Sequence, residues 1–338
     1  MKWIQALYES EGTLDSYNYK SLLKEIMEFG VAPQVYSQLK QQGTLNQTPV
    51  FFQERLKEQY EENLFLSLYI KSQLKKVLDC FDQAELSAIP LKGVLFAEKY
   101  FGHIGARCTS DIDLLIHPKD LEKAITTVIA LGFTINEKPI KGHFHCSFSK
   151  PIPNSKIPLT IELHWNLLKD DTSKLPIEEF WQGARTLGNY QFIKELSDYH
   201  TFYMICLHGW RHNLDSPKHF LDIIQLIYQV GDKVDYIQLL VQARHHRTQK
   251  RMIRTLAIVY QEHPYLQKVK PLPVKRPNLW DYNAFRNGHK KQLKNYLDFV
   301  DYSFFSYDSL THSKREFYSW IKSLRPTKPL VISSNKHQ

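Results

Sequence analysis

The 338-residue sequence contains no long apolar run and few cysteines. No stretch approaches the roughly 18–20 apolar residues that a membrane-spanning helix needs, and the N-terminal segment lacks the apolar core of a signal peptide. The four cysteines, Cys80, Cys108, Cys146 and Cys206, are scattered and include no C-x-x-C pair, which argues against a zinc knuckle and a disulfide framework. We therefore expect a soluble, cytoplasmic protein with no membrane partner.

Positive charge is concentrated in the last third of the chain. The formal net charge is +9, yet residues 241–338 hold 19 lysines and arginines against 6 acidic residues, so the first 240 residues are slightly acidic. The densest basic run extends from Arg244 to Arg254. A basic region of this kind suits a polyanionic acceptor such as RNA or a phosphorylated peptide. A solvated basic helix face is an equally good interpretation.

Two aspartates begin a predicted strand near the middle of the chain. An apolar run follows Asp111 and ends before Pro118, which is typical of a short buried strand. The side chains of Asp111 and Asp113 then point to the same face, roughly 6.5–7 Å apart. Such a pair repels itself unless a cation lies between the carboxylates, and Mg²⁺ prefers oxygen ligands. The simpler alternative is a strand edge at which two aspartates meet solvent.

A glycine turn precedes this strand. Residues 88–91 predict a strand that ends at Lys92 and Gly93, and a helix is predicted from Val94 onward. A strand, a glycine turn and a helix start can direct backbone N–H groups at a phosphate. Many glycine turns bind nothing, so the motif gains weight only beside the aspartates.

A third carboxylate lies on a later predicted strand. Residues 143–165 predict a β-hairpin around a proline-rich turn. On its second strand Glu162 and His164 share one face, while Ile161 lies on the other. Two aspartates and a third acid on a neighbouring strand could hold two divalent ions and clamp a nucleoside triphosphate.

Helical periodicity dominates the rest of the chain. A long helix is predicted over 53–83 and a shorter one over 119–131, which ends at Gly132. After residue 170 the predicted helices are 176–183, 195–212, 217–230, 233–246 and 248–262, followed by a helical, aromatic region at about 288–325.

Taken in order, these motifs resemble a known family. The resemblance is carried by the segments Leu91–Tyr100, Ser110–Ile116 and Ile161–Trp165, together with Arg107. In this order they are similar to the bacterial uncharacterised nucleotidyltransferase family, which belongs to the DNA polymerase β-like nucleotidyltransferase superfamily. The similarity covers about residues 55–260, and the segment Trp320–Pro326 also resembles the family's usual tail.

The resemblance implies an α+β fold. We expect a small mixed-sheet, polymerase β-like nucleotidyltransferase core flanked by N-terminal helices and a C-terminal helical domain, with the site in the cleft between core and C-terminal helices. The predicted parts are an N-terminal helical segment at 1–85, the core at 86–170, a helical domain at 171–262 and a basic, aromatic-rich helical tail region at 263–338.

The resemblance also implies roles for individual residues. Asp111 and Asp113 would bridge two Mg²⁺ ions. Glu162 would complete the second metal's shell and act as base toward the acceptor hydroxyl. The predicted nucleotide- and phosphate-binding residues are Lys92, Gly93, Arg107, Ser110, His208 and Arg211.

Simpler interpretations exist for several of these residues. Lys92 could be a solvated turn lysine, and Arg107 could form a local salt bridge to Asp111 or Asp113. The superfamily usually has Gly-Gly or Gly-Ser at the turn, whereas this chain has Gly93 and Val94. The change removes one possible phosphate contact, and Lys92 could supply charge instead.

The histidines allow other interpretations. His208 and Arg211 share a helix face by their i, i+3 spacing and could meet the nucleotide. A structural bond from either side chain to Asp222 on the next helix is the alternative. His143 and His145, with Glu162 and His164, could bind zinc on the hairpin, although such groups are more often polar residues around a carboxylate site.

We predict an enzyme that transfers a nucleoside monophosphate from a nucleoside triphosphate to a hydroxyl or phosphate acceptor on a small molecule, peptide or RNA. The alternative is a non-catalytic nucleotide- or RNA-binding protein that kept the fold. A second rival keeps the metals and modifies protein or tRNA as a toxin or regulator. The three acids favour catalysis, because loss of activity usually removes at least one of them.

Overall fold

The chain begins with a helical segment. The computed structural model describes residues 1–9, 14, 17–140, 142–152, 155, 157–282 and 293–323. The first helices are α1 (Trp3–Ala6), α2 (Tyr19–Glu28), α3 (Ala32–Gln41) and α4 (Val50–Gln83). The Asn18 side chain accepts the Ser21 N–H at the start of α2, and α4 begins directly after Pro49. The long helix predicted over 53–83 is confirmed.

A five-stranded mixed sheet follows. Its strands are β1 (Ala88–Pro90), β2 (Asp111–Ile116), β3 (Thr134–Glu137), β4 (His145–Lys150) and β5 (Leu159–His164), in the spatial order β1-β2-β5-β4-β3. The β2–β5 pair is parallel and the other pairs are antiparallel. The predicted hairpin is confirmed as β4 and β5. Two helices lie between strands in the sequence, α5 (Val94–Phe101) and α6 (Leu121–Ala130).

Helices make up most of the remaining structure. They are α7 (Ile177–Gln182), α8 (Asp198–Arg211), α9 (Pro217–Val230), α10 (Tyr236–His245), α11 (Gln249–Glu262), α12 (Leu266–Val269), α13 (Leu293–Val300) and α14 (Leu310–Ser323). A short ladder of β6 (Arg185–Thr186) and β7 (Lys194–Glu195), which the periodicity did not predict, precedes α8. Ser197, Ser216 and Asp235 cap the next three helices through side-chain oxygens. Residues 324–326 of the family-like tail lie outside the described residues.

Two buried apolar clusters stabilise these elements. The first joins the N-terminal helices to α8–α11 and includes Phe52 and Leu56 from the start of α4. The second lies against the sheet and includes Ile70, Leu74 and Phe81 from the end of α4. The same helix therefore contributes to both clusters.

The predicted α+β class, with a mixed sheet flanked by N-terminal and C-terminal helices, is confirmed. The four part boundaries stay a prediction. All four cysteines are unpaired. None of the helices in the described parts of the chain is long and apolar enough to cross a bilayer.

Candidate active site

The parallel pairing of β2 with β5 brings the predicted carboxylates together. In this register Asp113 lies opposite Glu162, and Leu115 lies opposite His164. Asp111 begins β2 and is partly exposed, whereas the Asp113 side chain is fully buried. Two strands that are 43 residues or more apart in sequence thus present their acids side by side.

Lys92 supplies the positive charge between the aspartates. The backbone N–H of Leu91 donates to the Asp113 carbonyl, which holds the turn after β1 against β2. Lys92 Nζ lies 2.9 Å from Asp113 Oδ2 and 3.4 Å from Asp111 Oδ2. Burial opposes the charge, but the two aspartates raise the pKa of Lys92 above its usual value. Lys92 is therefore an ion-paired residue of the site and not a solvated turn lysine.

His164 connects the two remaining acids. Its Nε2 lies 3.2 Å from Asp113 Oδ1 and 3.1 Å from Glu162 Oε2, so its N–H faces two acceptors. This hydrogen bond lowers the pKa of Glu162 to about 2. Burial alone would lower the pKa of His164, yet the two carboxylates raise it. We call Lys92, Asp111, Asp113, Glu162 and His164 the sheet cluster.

The glycine turn has the backbone that the motif requires. Gly93 has φ +82° and ψ −143°, a region open almost only to glycine. A Cβ at this position would lie 3.4 Å from the Asp111 carbonyl oxygen. Val94 is buried in the apolar cluster beneath the sheet, so its side chain does not face the turn. Ser110 is exposed at the entrance of β2.

The helices form the opposite wall of the cleft. Leu91, Lys92, Asp113, Glu162 and His164 from the sheet side face Met204, Leu207, His208 and Arg211 from α8. The Arg211 guanidinium lies 4.8 Å from the centre of the Phe144 ring, which is a cation–π contact. The structure therefore brings His208 and Arg211 to the same cleft as the predicted acids.

Arg107 has a buried partner. Its Nε and Nη2 donate to the two carboxylate oxygens of Asp222 at 2.7 Å each, and only 2% of either side chain is exposed. The guanidinium also lies over the Phe96 ring. The local salt bridge to Asp111 or Asp113 is not the one observed, since the partner comes from α9. Phosphate binding by Arg107 stays a prediction, and the pair fixes the loop before β2 against the helical part.

Sequence reasoning missed Lys218, in the first turn of α9. Lys218 and Asp222 share a helix face by their i, i+4 spacing. Burial and the neighbouring Arg107 guanidinium lower the pKa of Lys218 to about 8, and Asp111 also acts on this ammonium. Lys218 forms no ion pair with any residue that the structure describes. The sequence signal for this lysine is its spacing of four residues from Asp222, which predicts that both side chains lie on one helix face.

The basic run of the last third is only partly available to a partner. Arg251 and Arg254 are buried. Arg251 lies over the Trp210 and Tyr307 rings, and Arg254 pairs with Asp298 and Asp301. These two arginines thus stabilise the packing of α11 and cannot contact a polyanion. Arg244 and Lys250 remain exposed.

Within the described residues, two side-chain groups bring metal-ligand atoms within 4.8 Å of one another. One is Asp113, Glu162 and His164 of the sheet cluster. His143 and His145 do not belong to it, although the His145 ring stacks on His164 with centres 5.1 Å apart. The less favoured alternative of a zinc site that includes His143 and His145 is therefore not the arrangement that forms.

A D-x-D strand paired with a strand that carries a third acid, in a cleft closed by helices, is the arrangement that the sequence analysis predicted for a nucleotidyltransferase. The chain belongs to the uncharacterised nucleotidyltransferase family, because the model of that family matches residues 15–261. The enzyme class predicted from the sequence is thereby confirmed.

Other comparisons add little. Among solved structures, the solution structure of the antibiotic-resistance factor ANT(2'')-Ia is similar, with 14% sequence identity, 58% of this chain and 94% of that chain covered, and a TM-score of 0.35. We base no argument on a similarity of that size. No curated protein matches the chain.

Proposed function

We propose that the protein is a metal-dependent nucleotidyltransferase that moves a nucleoside monophosphate from a nucleoside triphosphate to a hydroxyl or phosphate acceptor, with release of pyrophosphate. The observation that carries this proposal is the register of β2 and β5, which sets Asp113 beside Glu162 in the cleft. Asp111, two residues earlier, completes a set of three acids on adjacent strands.

The donor set fits magnesium. Asp111, Asp113 and Glu162 offer the carboxylate oxygens that hard divalent ions prefer, and Lys92 Nζ already lies between two of them as a cation. When bound, two Mg²⁺ ions would neutralise phosphate charge and increase the acidity of the acceptor hydroxyl. His164 would orient Asp113 and Glu162 through its hydrogen bonds. The role of Glu162 as base is part of the proposal.

The cations around the cleft suit a triphosphate. Lys92 is engaged by the aspartates, so other groups must contribute most of the phosphate charge compensation. We propose Lys218 beside Asp111 and Arg211 on α8 for this role, with the Gly93 N–H as a further donor. His208 lies on the same wall and would contact the nucleotide.

The first experiment measures binding of the four nucleoside triphosphates with and without magnesium. Asp111→Asn/Asp113→Asn should lose the magnesium-dependent binding that the wild type has, because two ligands become neutral. The matched control is Glu58→Ala/Glu61→Ala, which removes two exposed acids of α4. Equal magnesium-dependent binding by wild type and the asparagine variant would contradict the proposed site.

A second binding experiment addresses Lys218. Lys218→Met should weaken triphosphate binding by about 10- to 100-fold, since hydrogen bonds to charged groups contribute about 1.5–3 kcal/mol. The exposed Lys268→Met is the control. Unchanged affinity in Lys218→Met would remove this residue from the proposal and leave the carboxylate site in place.

The non-catalytic alternative has one specific observation in its favour. Lys92 occupies the space between Asp111 and Asp113, as expected for a fold that holds its acids without a metal. Incubation of the protein with labelled triphosphate and cell lysate distinguishes the three functional hypotheses. A labelled small molecule supports the main proposal, a labelled protein or tRNA supports a toxin or regulator, and binding without any labelled product supports the alternative.

A further inference from the structure

A second group of ligand-type side chains surrounds the connection between α8 and α9. It comprises His208 on α8, His212 directly after that helix, Asp215 in the turn and His219 on α9. We call these four residues the turn cluster. Ligand atoms of His212, Asp215 and His219 lie within 4.8 Å of one another. The ring centres of His208 lie 4.7 Å from His212 and 5.4 Å from His219.

Two of the four side chains in this cluster are paired with each other, and two have no such partner. His219 Nε2 lies 3.2 Å from Asp215 Oδ1. The side chains of His208 and His212 make no hydrogen bond or ion pair with any residue in the described ranges. Water or a ligand can therefore reach their ring nitrogens.

The cluster has the chemistry of a transition-metal site. Neutral imidazole and carboxylate are the ligands that zinc takes in proteins. Two imidazoles on one tetrahedral zinc have ring centres roughly 5 Å apart, given zinc–nitrogen distances of about 2 Å. The distances in the cluster are close to that value.

The spacing in the sequence agrees with this chemistry. His208 lies in the last turn of α8, and His212 directly follows the helix. Asp215 precedes α9, and His219 lies in its first turn. The connection between the two helices therefore brings these residues together. The rings of His212 and His219 are stacked at 4.9 Å with 13° between their planes. An ion shared by both residues would require one of these two rings to turn.

The connection that carries the cluster is strained. Asn213 and Leu214 have φ values of +49° and +53°, which are unfavourable for a residue with a branched side chain such as leucine. A ligand that joins both sides of the turn would stabilise this conformation. The first of these helices also carries Arg211, which lines the cleft.

We propose that His212, Asp215 and His219 bind one zinc-like divalent transition ion, with a water molecule as the fourth ligand. The ion clamps the α8–α9 turn and so orders the helix ends that face the cleft. This site is separate from the carboxylates of the sheet cluster. It does not depend on the proposed function, because its test measures metal binding.

The test uses full-length protein stripped of metal and titrated with Zn²⁺, and with Co²⁺ as a spectroscopic probe, in excess Mg²⁺. Magnesium prefers oxygen ligands and would occupy the sheet acids. We expect one equivalent of zinc to bind and the Co²⁺ spectrum to be tetrahedral. Loss of one outer-sphere partner costs 10–100-fold in metal affinity, so His212→Ala and Asp215→Asn should each lower affinity by more than about 100-fold.

Two controls locate the site. His245→Ala removes an exposed histidine at the end of α10 and should bind zinc like the wild type. Asp111→Asn/Asp113→Asn should also retain the zinc. His212 and Asp215 are exposed, so their substitution is compatible with folding, which circular dichroism checks. Zinc should also slow amide hydrogen exchange at 208–220.

Three results would overturn the proposal. The wild type could bind no zinc in the presence of magnesium. Zinc could be lost in the aspartate variant and retained in His212→Ala, which would assign it to the sheet cluster. Alternatively, His245→Ala could lower the affinity as much as His212→Ala, which would indicate non-specific binding to surface histidines.

Discussion

The sheet cluster and the turn cluster border one cleft but satisfy their polar groups differently. In the sheet cluster, buried Asp113 lies between Lys92 and His164, and Glu162 accepts from the same imidazole. In the turn cluster the rings of His208 and His212 contact chiefly other imidazoles. The protein itself thus compensates the first cluster, whereas two rings of the second have no hydrogen-bond partner among the described residues.

The difference follows from the charge of the groups involved. A buried carboxylate without a cation costs several kcal/mol, so a strand that carries such acids requires a partner at all times. A neutral imidazole costs far less to leave without a partner. We therefore expect the sheet cluster to exchange one cation for another, whereas an ion in the turn cluster would replace only the contact between Asp215 and His219.

The largest expected effect comes from the Arg107–Asp222 pair, which joins the sheet side to α9. Arg107→Met leaves Asp222 buried and uncompensated, so we expect a loss of about 3–5 kcal/mol in the free energy of unfolding, measured by urea denaturation. Arg107→Met/Asp222→Leu should recover most of that loss. The exposed pair of Lys75 and Asp79 is the control, with a loss of about 0.5 kcal/mol or less in Lys75→Ala. A similarly small loss in Arg107→Met would contradict the buried-pair interpretation.

The next largest loss of stability is expected from substitution of Lys92, which tests the difference between the sheet cluster and the turn cluster. Lys92→Met should lower the free energy of unfolding by about 2–3 kcal/mol without magnesium, because Asp113 then lacks its cation. Magnesium should raise the thermal midpoint of this variant more than that of the wild type, since the ion no longer competes with an ammonium. In His212→Ala, where no bond is lost, we expect a change within about 0.5 kcal/mol. Equal magnesium shifts in wild type and Lys92→Met would mean that Lys92 and the ion do not share a site.

The smallest effect concerns Asp198 at the start of α8, away from both clusters. Burial alone would raise the pKa of Asp198. The bonds from Lys233, Tyr100 and Lys99 outweigh this effect and lower the pKa to about 2. Because the folded pKa lies below the unfolded value, the stabilisation is present above about pH 4 and lost as the pH falls toward 2. Asp198→Asn should therefore cost about 2 kcal/mol at pH 7 and almost nothing near pH 2, as measured by denaturation across that range. A cost that does not change with pH would show that the charge of Asp198 is not responsible.

Local patterns predicted much of the fold. The apolar run after Asp111, the proline-rich turn between β4 and β5, and the apolar spacing of α4 each depend on neighbours in sequence, so periodicity was sufficient. The alternation on β5 also placed Glu162 and His164 on one face.

Contacts between residues that are distant in sequence could not be predicted from local periodicity. The register that sets Asp113 against Glu162 is parallel and crosses two other strands in sequence. Arg107 meets Asp222 after 115 residues, and the direction of Lys92 depends on how β1 pairs with β2. Composition places Arg251 and Arg254 in a basic surface run, because it does not reveal the aromatic rings and aspartates that bury these two side chains. The site residues themselves stay predictions until binding is measured.

The long helix α4 has a consequence for how the protein unfolds. Its 34 residues extend about 50 Å, with Phe52 in one apolar cluster and Phe81 in the other. Breaking the middle of this helix would expose both clusters at once, so neither can melt without weakening the other. We therefore expect the two clusters to unfold together, because the same helix is packed into both of them.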